Sequence, residues 1–127
     1  MIPADLKYSR EHEWVRTEGG TATVGITHFA QDQLTDIVFV ELPDVGRVVK
    51  AGDPIAVLES VKSVSDVFAP LAGTVLDVNK ALEAHPEYVN ESPYDKGWLF
   101  KLKVSGAPPA DLLDHTGYQA YLDSQSH

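Results

Sequence analysis

Two segments of this chain carry the same turn-and-strand signature, and the stretch between them has to be accommodated by whatever fold they build. Pro43-Asp44-Val45-Gly46-Arg47-Val48-Val49 and Pro70-Leu71-Ala72-Gly73-Thr74-Val75-Leu76 both read Pro-x-x-Gly-x-Val followed by an aliphatic residue. The same turn chemistry leading twice into the same kind of strand predicts two similar half-sheets packed face to face. Between them, Pro54 to Pro70 reads as two strand-like arms around a small polar centre, Glu59-Ser60-Val61-Lys62-Ser63, with Lys62 near the tip.

Strand signals continue on both sides. Glu13-Trp14-Val15-Arg16 and Thr21 to Ile26 flank the turn pair Gly19-Gly20, and Ala22, Val24 and Ile26 alternate with polar or small residues, as in a half-buried hairpin strand. A short helical stretch is expected around Phe29 to Leu34, then a strand over Ile37-Val38-Phe39-Val40, a β-branched and aromatic run. In Trp98 to Val104 the alternation places Trp98, Phe100, Leu102 and Val104 on one face and Lys101 and Lys103 on the other, a strand expected to close the sheet. Pro108-Pro109 ends the β region, and Ala110 to Leu113 and Tyr118 to Leu122 are expected to form short helices against the outside. These elements add up to a flattened barrel or sandwich with helical trim.

At 127 residues the chain has the length of one ordinary domain. We expect a single domain over 1–127, with a core of about 6–104 and a helical extension of about 108–125. With 43% apolar and 23% charged residues it matches ordinary globular chains. The formal charge of −9 would repel phosphate backbones, so nucleic acid is not an expected partner. No apolar run is long enough to span a bilayer, so none is a membrane either. The start Met1-Ile2-Pro3-Ala4-Asp5 resembles no leader, so the expected location is the cytoplasm, or the mitochondrial matrix if a transit peptide has been removed. Cysteine is absent, so sulfur chemistry must arrive on a cofactor. The five histidines show no His-x-x-x-His spacing and have no cysteine partners, and no metal site is expected. Nucleophile-elbow, dinucleotide and phosphate-loop motifs are also missing.

Lys62 is the residue with the most to say about function. A long side chain at a hairpin tip projects into solvent while the paired arms fix its origin, which suits a tether. A solvated loop lysine with no role is the plainer alternative. The neighbouring Ser60, Ser63 and Ser65 do not make a Ser-Lys hydrolase, because an exposed hairpin offers no burial to activate the lysine.

Several further segments settle between these alternatives by resemblance. His12-Glu13-Trp14-Val15, Gly25-Ile26-Thr27, Val38 to Pro43, Glu59-Ser60-Val61-Lys62-Ser63, Val78-Asn79 and Asn90 to Trp98 stand in the same order as in the H proteins of the glycine cleavage system, which the chain resembles from about Leu6 to Val104. The resemblance implies an all-β fold, a flattened barrel-sandwich hybrid of the lipoyl-domain type with short peripheral and C-terminal helices. It implies lipoate in amide linkage to Lys62 and a non-catalytic, monomeric carrier. Such a carrier takes the aminomethyl group of glycine from glycine decarboxylase to aminomethyltransferase, and dihydrolipoyl dehydrogenase then reoxidises the arm. A lipoate-attaching enzyme is implied as a fourth partner, with Glu59 as its recognition element. Glu13 and Asp66 match residues lining a cleft that shelters the loaded arm. Biotin carriers also present a hairpin lysine, but with methionine on both sides, where Val61 and Ser63 stand here. Thr35 departs from the family's usual glycine and leaves the shape of that turn open. A relay passing lipoate to other proteins would share every motif, and an unmodified β binding module remains the reading from a different class.

Overall fold

The computed structural model describes residues 3–105 and 112–125. In chain order its elements are β1 (Lys7–Tyr8), β2 (Glu13–Glu18), β3 (Thr21–Ile26), α1 (His28–Leu34), β4 (Ile37–Glu41), β5 (Val48–Val49), β6 (Pro54–Ser60), β7 (Val64–Phe68), β8 (Gly73–Val78), α2 (Ala81–Ala84), α3 (Tyr88–Glu91), β9 (Phe100–Val104) and α4 (His115–Gln125). Two open sheets carry the fold: six strands in the order β1-β2-β3-β9-β8-β5, and three in the order β4-β6-β7. Every pairing is antiparallel.

The alternating apolar residues do what their period requires. Ala22, Val24 and Ile26 of β3 and Phe100 and Leu102 of β9 join Val40, Leu58 and Val67 of the smaller sheet in one core. A second cluster lies over the β1–β2 end, where Leu6, Tyr8 and Trp14 pack against Tyr118 of α4. Trp14 stands opposite Gly25 on β3. A Cβ at Gly25 would come within 2.7 Å of the indole, so only glycine lets the ring lie flat there. The indole nitrogen donates to the Pro93 carbonyl at 2.9 Å, tying the His-Glu-Trp-Val and Ser-Pro-Tyr motifs to one spot.

The two echoing segments behave differently from the expectation. They are not separate half-sheets facing each other. β5 and β8 lie side by side in the larger sheet, with Val48 opposite Thr74 and Val49 opposite Gly73. The shared glycine does two jobs. Gly46 takes a positive φ of 96° in its turn, whereas Gly73 is needed because a Cβ would meet the Lys103 carbonyl oxygen at 2.4 Å. The intervening hairpin β6–β7 crosses to the other sheet, which is how the tip comes to stand apart.

Two other expectations need correction. The last strand begins at Phe100 and sits between β3 and β8 without closing the sheet, while Trp98 lies before it and packs on the Trp14 cluster. Trp98 is pulled off the strand because Asn79 Nδ2 donates to the carbonyls of Lys96 and Trp98, at 2.7 and 2.8 Å. Leu113 forms a bridge to Tyr8 in place of a helix, with Tyr8 N–H and Leu113 N–H each donating to the other's carbonyl at 2.7 Å. Ala110 and Asp111 lie outside the described residues. The helix expected at Tyr118 to Leu122 is present within the longer α4.

Candidate functional site

The Lys62 turn is organised by one hydroxyl. Ser60 is buried at the end of β6, where its Oγ accepts from Lys62 N–H at 3.1 Å and Ser63 N–H at 2.9 Å. Ser60 N–H donates to the Ser63 carbonyl at 2.8 Å, closing the turn, and Val61 N–H donates to the Asp36 carbonyl at 3.0 Å, tying the tip to the segment after α1. Backbone donors that a tight turn would leave to water are thus met from below. The side chains point the other way: Val61, Lys62, Ser63 and Val64 are all exposed. The structure therefore offers Lys62 as an accessible primary amine on a fixed base. Sequence reading weighed Ser60 only as part of a Ser-Lys pair and missed this turn-holding role, although a serine two residues before the lysine can hold such a turn through its hydroxyl.

A hollow of about 390 Å³ runs from the tip along β7, the free edge of the smaller sheet. Phe29 and Leu34 of α1 and Val64 and Phe68 of β7 are its large apolar lining residues, and Glu11 and Asp66 are its carboxylates. It begins two residues from Lys62, so an arm carried there can fold back into it. Asp66 is exposed at its edge.

Glu13 lies elsewhere than a surface strand carboxylate would. It is only 2% exposed. Ser9 Oγ donates to its Oε1 at 2.5 Å and Phe68 N–H to its Oε2 at 3.2 Å, linking the start of β2 to the end of β7. Burial is the main cause that pushes its pKa from 4.5 to about 7, against the lowering effect of those two donors. Glu13 lines a separate hollow of about 310 Å³ with Ser9, Arg10 and Pro70. The two hollows share Glu11 and Phe68, so Glu13 and Asp66 line adjoining hollows. Glu59 stands exposed on β6, between Phe39 of β4 and Val64 of β7 in register.

Beside this site stands an aromatic cluster that sequence reading did not single out. His12 has a positive φ of 67°, and its Nδ1 lies 2.8 Å from Tyr118 Oη, which in turn lies 2.7 Å from Thr27 Oγ1. The His12 ring also contacts Phe29 and Tyr121, so the floor near the hollow and α4 are held together. Burial lowers the His12 pKa, keeping the ring neutral there.

Two open sheets sharing one core, with an exposed lysine at the tip of a hairpin in the smaller one, define a carrier domain of the lipoyl type. Comparison with known proteins agrees. The family model for the glycine cleavage H-protein matches residues 6–125, and the chain belongs to that family, the carrier component of the glycine cleavage system. It is 54% identical to the glycine cleavage system H protein of Symbiobacterium thermophilum over 121 residues, 94% of each chain. The corresponding protein of Escherichia coli O7:K1 is 54% identical over 126 residues, 98% of each chain. Among solved structures, the crystal structure of a glycine cleavage system H protein from Mycobacterium marinum superposes with a TM-score of 0.87 at 36% identity, covering 99% of this chain and all of that one.

Proposed function

We propose that Lys62 carries lipoate as an amide and that the chain moves the aminomethyl fragment of glycine on that arm. It does so between glycine decarboxylase, aminomethyltransferase and dihydrolipoyl dehydrogenase, turning nothing over itself. When attached, lipoate supplies a cyclic disulfide that can be opened to hold a carbon fragment on sulfur. The chain supplies the rest. Ser60 fixes the origin of the arm, the β7 hollow excludes water from its far end, and carboxylates around Phe68 pair with the ammonium of the cargo. The carrier domain is the single unit 1–127, with a core of about 6–104 and a helical extension of about 108–125, and its place of work is the cytoplasm. Among the described residues no helix is long and apolar enough to cross a membrane.

The observation that carries this reading is the union of an exposed tip lysine with a hollow starting two residues away. Intact mass after incubation with a lipoate ligase, lipoate and ATP tests it: one lipoyl group should be added, and peptide mapping should place it on Lys62. An unchanged mass leaves only a binding module. A group on Lys50 or Lys80 would refute the role of the tip.

A further inference from the structure

Two rings that line the β7 hollow, His12 from the loop after β1 and Phe29 from the first turn of α1, lie 4.7 Å apart. Both depend on a hydroxyl that lines no part of it. Tyr118 Oη of α4 is 2.8 Å from His12 Nδ1 and 2.7 Å from Thr27 Oγ1; with one proton and two partners, it donates to one and accepts from the other. Thr27 in turn caps α1, its Oγ1 accepting from Ala30 N–H at 3.2 Å, and so fixes the turn of helix that carries Phe29. His12 needs such a hold. Its φ of 67° lies in the left-handed region, where a non-glycine residue stays only if its surroundings over-determine it. The backbone supplies two bonds, His12 N–H to the Ser9 carbonyl at 3.2 Å and Thr27 N–H to the His12 carbonyl at 3.0 Å, and Tyr118 supplies the one that sets the ring.

The Tyr118 ring is placed without help from its hydroxyl. Tyr8 stacks on it at 4.7 Å with 10° between the planes, and both residues are buried. The same helix is tied to the loop a second time by Tyr121 Oη, which donates to the Arg10 carbonyl at 3.1 Å. Docking of α4 is therefore secured by the stack and by Tyr121, and the Tyr118 hydroxyl is left to act on His12 and Thr27. We infer that Tyr118 is a positioning residue for the loaded arm: through its hydroxyl it sets the His12 ring against Phe29 and so fixes the shape of the hollow in which the cargo is sheltered. The inference rests on that hollow receiving the arm. It gives the C-terminal helix a part in cargo protection, although no residue of α4 lines the hollow.

Amine release from the full chain, lipoylated and then loaded with glycine by the decarboxylase, tests this. Tyr118→Phe keeps the ring and its stack and removes only the hydroxyl, so cargo lifetime should fall about fivefold, the effect of one net hydrogen bond, while Lys62 is lipoylated at the wild-type rate. Tyr8→Phe is the control. It removes from the same buried stack a hydroxyl that donates to the Pro3 carbonyl, so it should lower the unfolding temperature by a similar amount and leave the lifetime unchanged. His12→Gly, which the left-handed backbone tolerates, removes the ring that Tyr118 acts through. Its lifetime should be as short, and adding Tyr118→Phe should shorten it no further. A spectroscopic signature accompanies the loss: in an NMR titration the His12 ring, which burial holds below 6.5, should titrate closer to that value in Tyr118→Phe and stay low in Tyr8→Phe. Its titratable neighbours Glu11, Asp66 and Tyr121 are the same in both variants. A wild-type lifetime in Tyr118→Phe would overturn the inference, as would an equal loss in Tyr8→Phe or additive losses in the double variant. If the loaded wild type released amine as fast as free aminomethylated dihydrolipoamide, the hollow would shelter nothing, and the reading beneath the inference would fall with it.

Discussion

At the Lys62 tip the side chains face outward and the backbone is held from below by one hydroxyl. At the start of β2, Glu13 turns inward and has both carboxylate oxygens committed to protein donors. One place is built to be reached and the other to hold. Lys62 has a free end because Ser60 satisfies the turn, whereas Glu13 keeps β2 and β7 together at the cost of a charge that water cannot solvate well. Substitution at the tip should therefore change chemistry without stability, and at Glu13 stability should follow pH.

The largest effect lies at the tip. Lys62→Arg should abolish acylation altogether, because a guanidinium stays protonated and is not acylated as an amine is. Its unfolding temperature should match wild type, since the side chain is exposed. A loss of several kcal/mol would place Lys62 among the structural residues and erase the contrast with Glu13.

Glu13 gives the next largest effect. Below its ordinary value of 4.5 the carboxyl is protonated in folded and unfolded chains alike; between there and about 7 the folded chain keeps a proton that the unfolded chain has lost. Stability should fall as pH rises through that window and level off above about 7, by up to about 3 kcal/mol for the full shift. Glu13→Gln cannot titrate, so its stability should be flatter from pH 4.5 to 7.5 in denaturant titrations. The slope is the readout, since the amide also gives one oxygen's donor a poorer partner. A wild-type slope in the variant would show that Glu13 is solvated in solution.

Much of the fold was legible in the sequence because it rests on periods. Alternation in Thr21 to Ile26 and turn residues at Gly19-Gly20 act locally, and β2–β3 is the hairpin they imply. The repeat misled because pattern matching sees that Gly46 and Gly73 are glycines but not why. One needs a positive φ and the other yields space to a carbonyl from β9, a long-range fact. Lys62 could be singled out because a tether demands exposure at a hairpin tip, and the structure leaves it exposed there. The state of Glu13 could not, because burial at 2% depends on Ser9, the Phe68 backbone and the whole β2–β7 contact. The expectation that Glu13 and Asp66 share one cleft was a statement about matching positions. In the structure they line adjoining hollows that share Glu11 and Phe68.

That arrangement sharpens what cargo protection should look like. On the proposed reading, Asp66 at the rim of the β7 hollow and the buried Glu13 in the adjoining one would act with different degrees of exposure. If a sheltered charge-assisted contact is worth about 1.5 kcal/mol, Glu13→Gln should shorten the lifetime of the loaded arm roughly tenfold. The exposed Asp66→Asn should give only about twofold, because water screens it. Release of amine from the loaded protein, measured for both variants, separates the two. Equal lifetimes in wild type and both variants would remove the carboxylates from the protective device and leave it to the apolar walls.

The smallest effect concerns Thr35, where the resemblance implies a glycine. Thr35 ends α1 with φ 64° and ψ −148°, a backbone region that a β-branched residue enters only under strain. The turn survives because it is held from three directions. Thr35 N–H donates to the Gln31 carbonyl at 3.0 Å, Asn90 Nδ2 donates to the Thr35 carbonyl at 2.7 Å, and Asn90 Oδ1 accepts from Ile37 N–H at 2.9 Å. Those bonds use backbone atoms on the Thr35 side, so glycine would keep all of them while losing the clash. Against the relief of about 1 to 3 kcal/mol stands the added freedom of glycine in the unfolded chain, about 0.4 to 1 kcal/mol. Thr35→Gly should accordingly stabilise the protein by about 1 kcal/mol, raising the unfolding temperature by roughly 3 to 5 °C. The change sits next to Asp36, whose carbonyl anchors the Lys62 turn, so acylation kinetics measured in the same variant show whether the tip senses it. An unchanged rate with a higher unfolding temperature would confirm that stability at the end of α1 and access at the hairpin tip are set separately. A lower unfolding temperature would mean that the threonine side chain makes a compensating contact in solution.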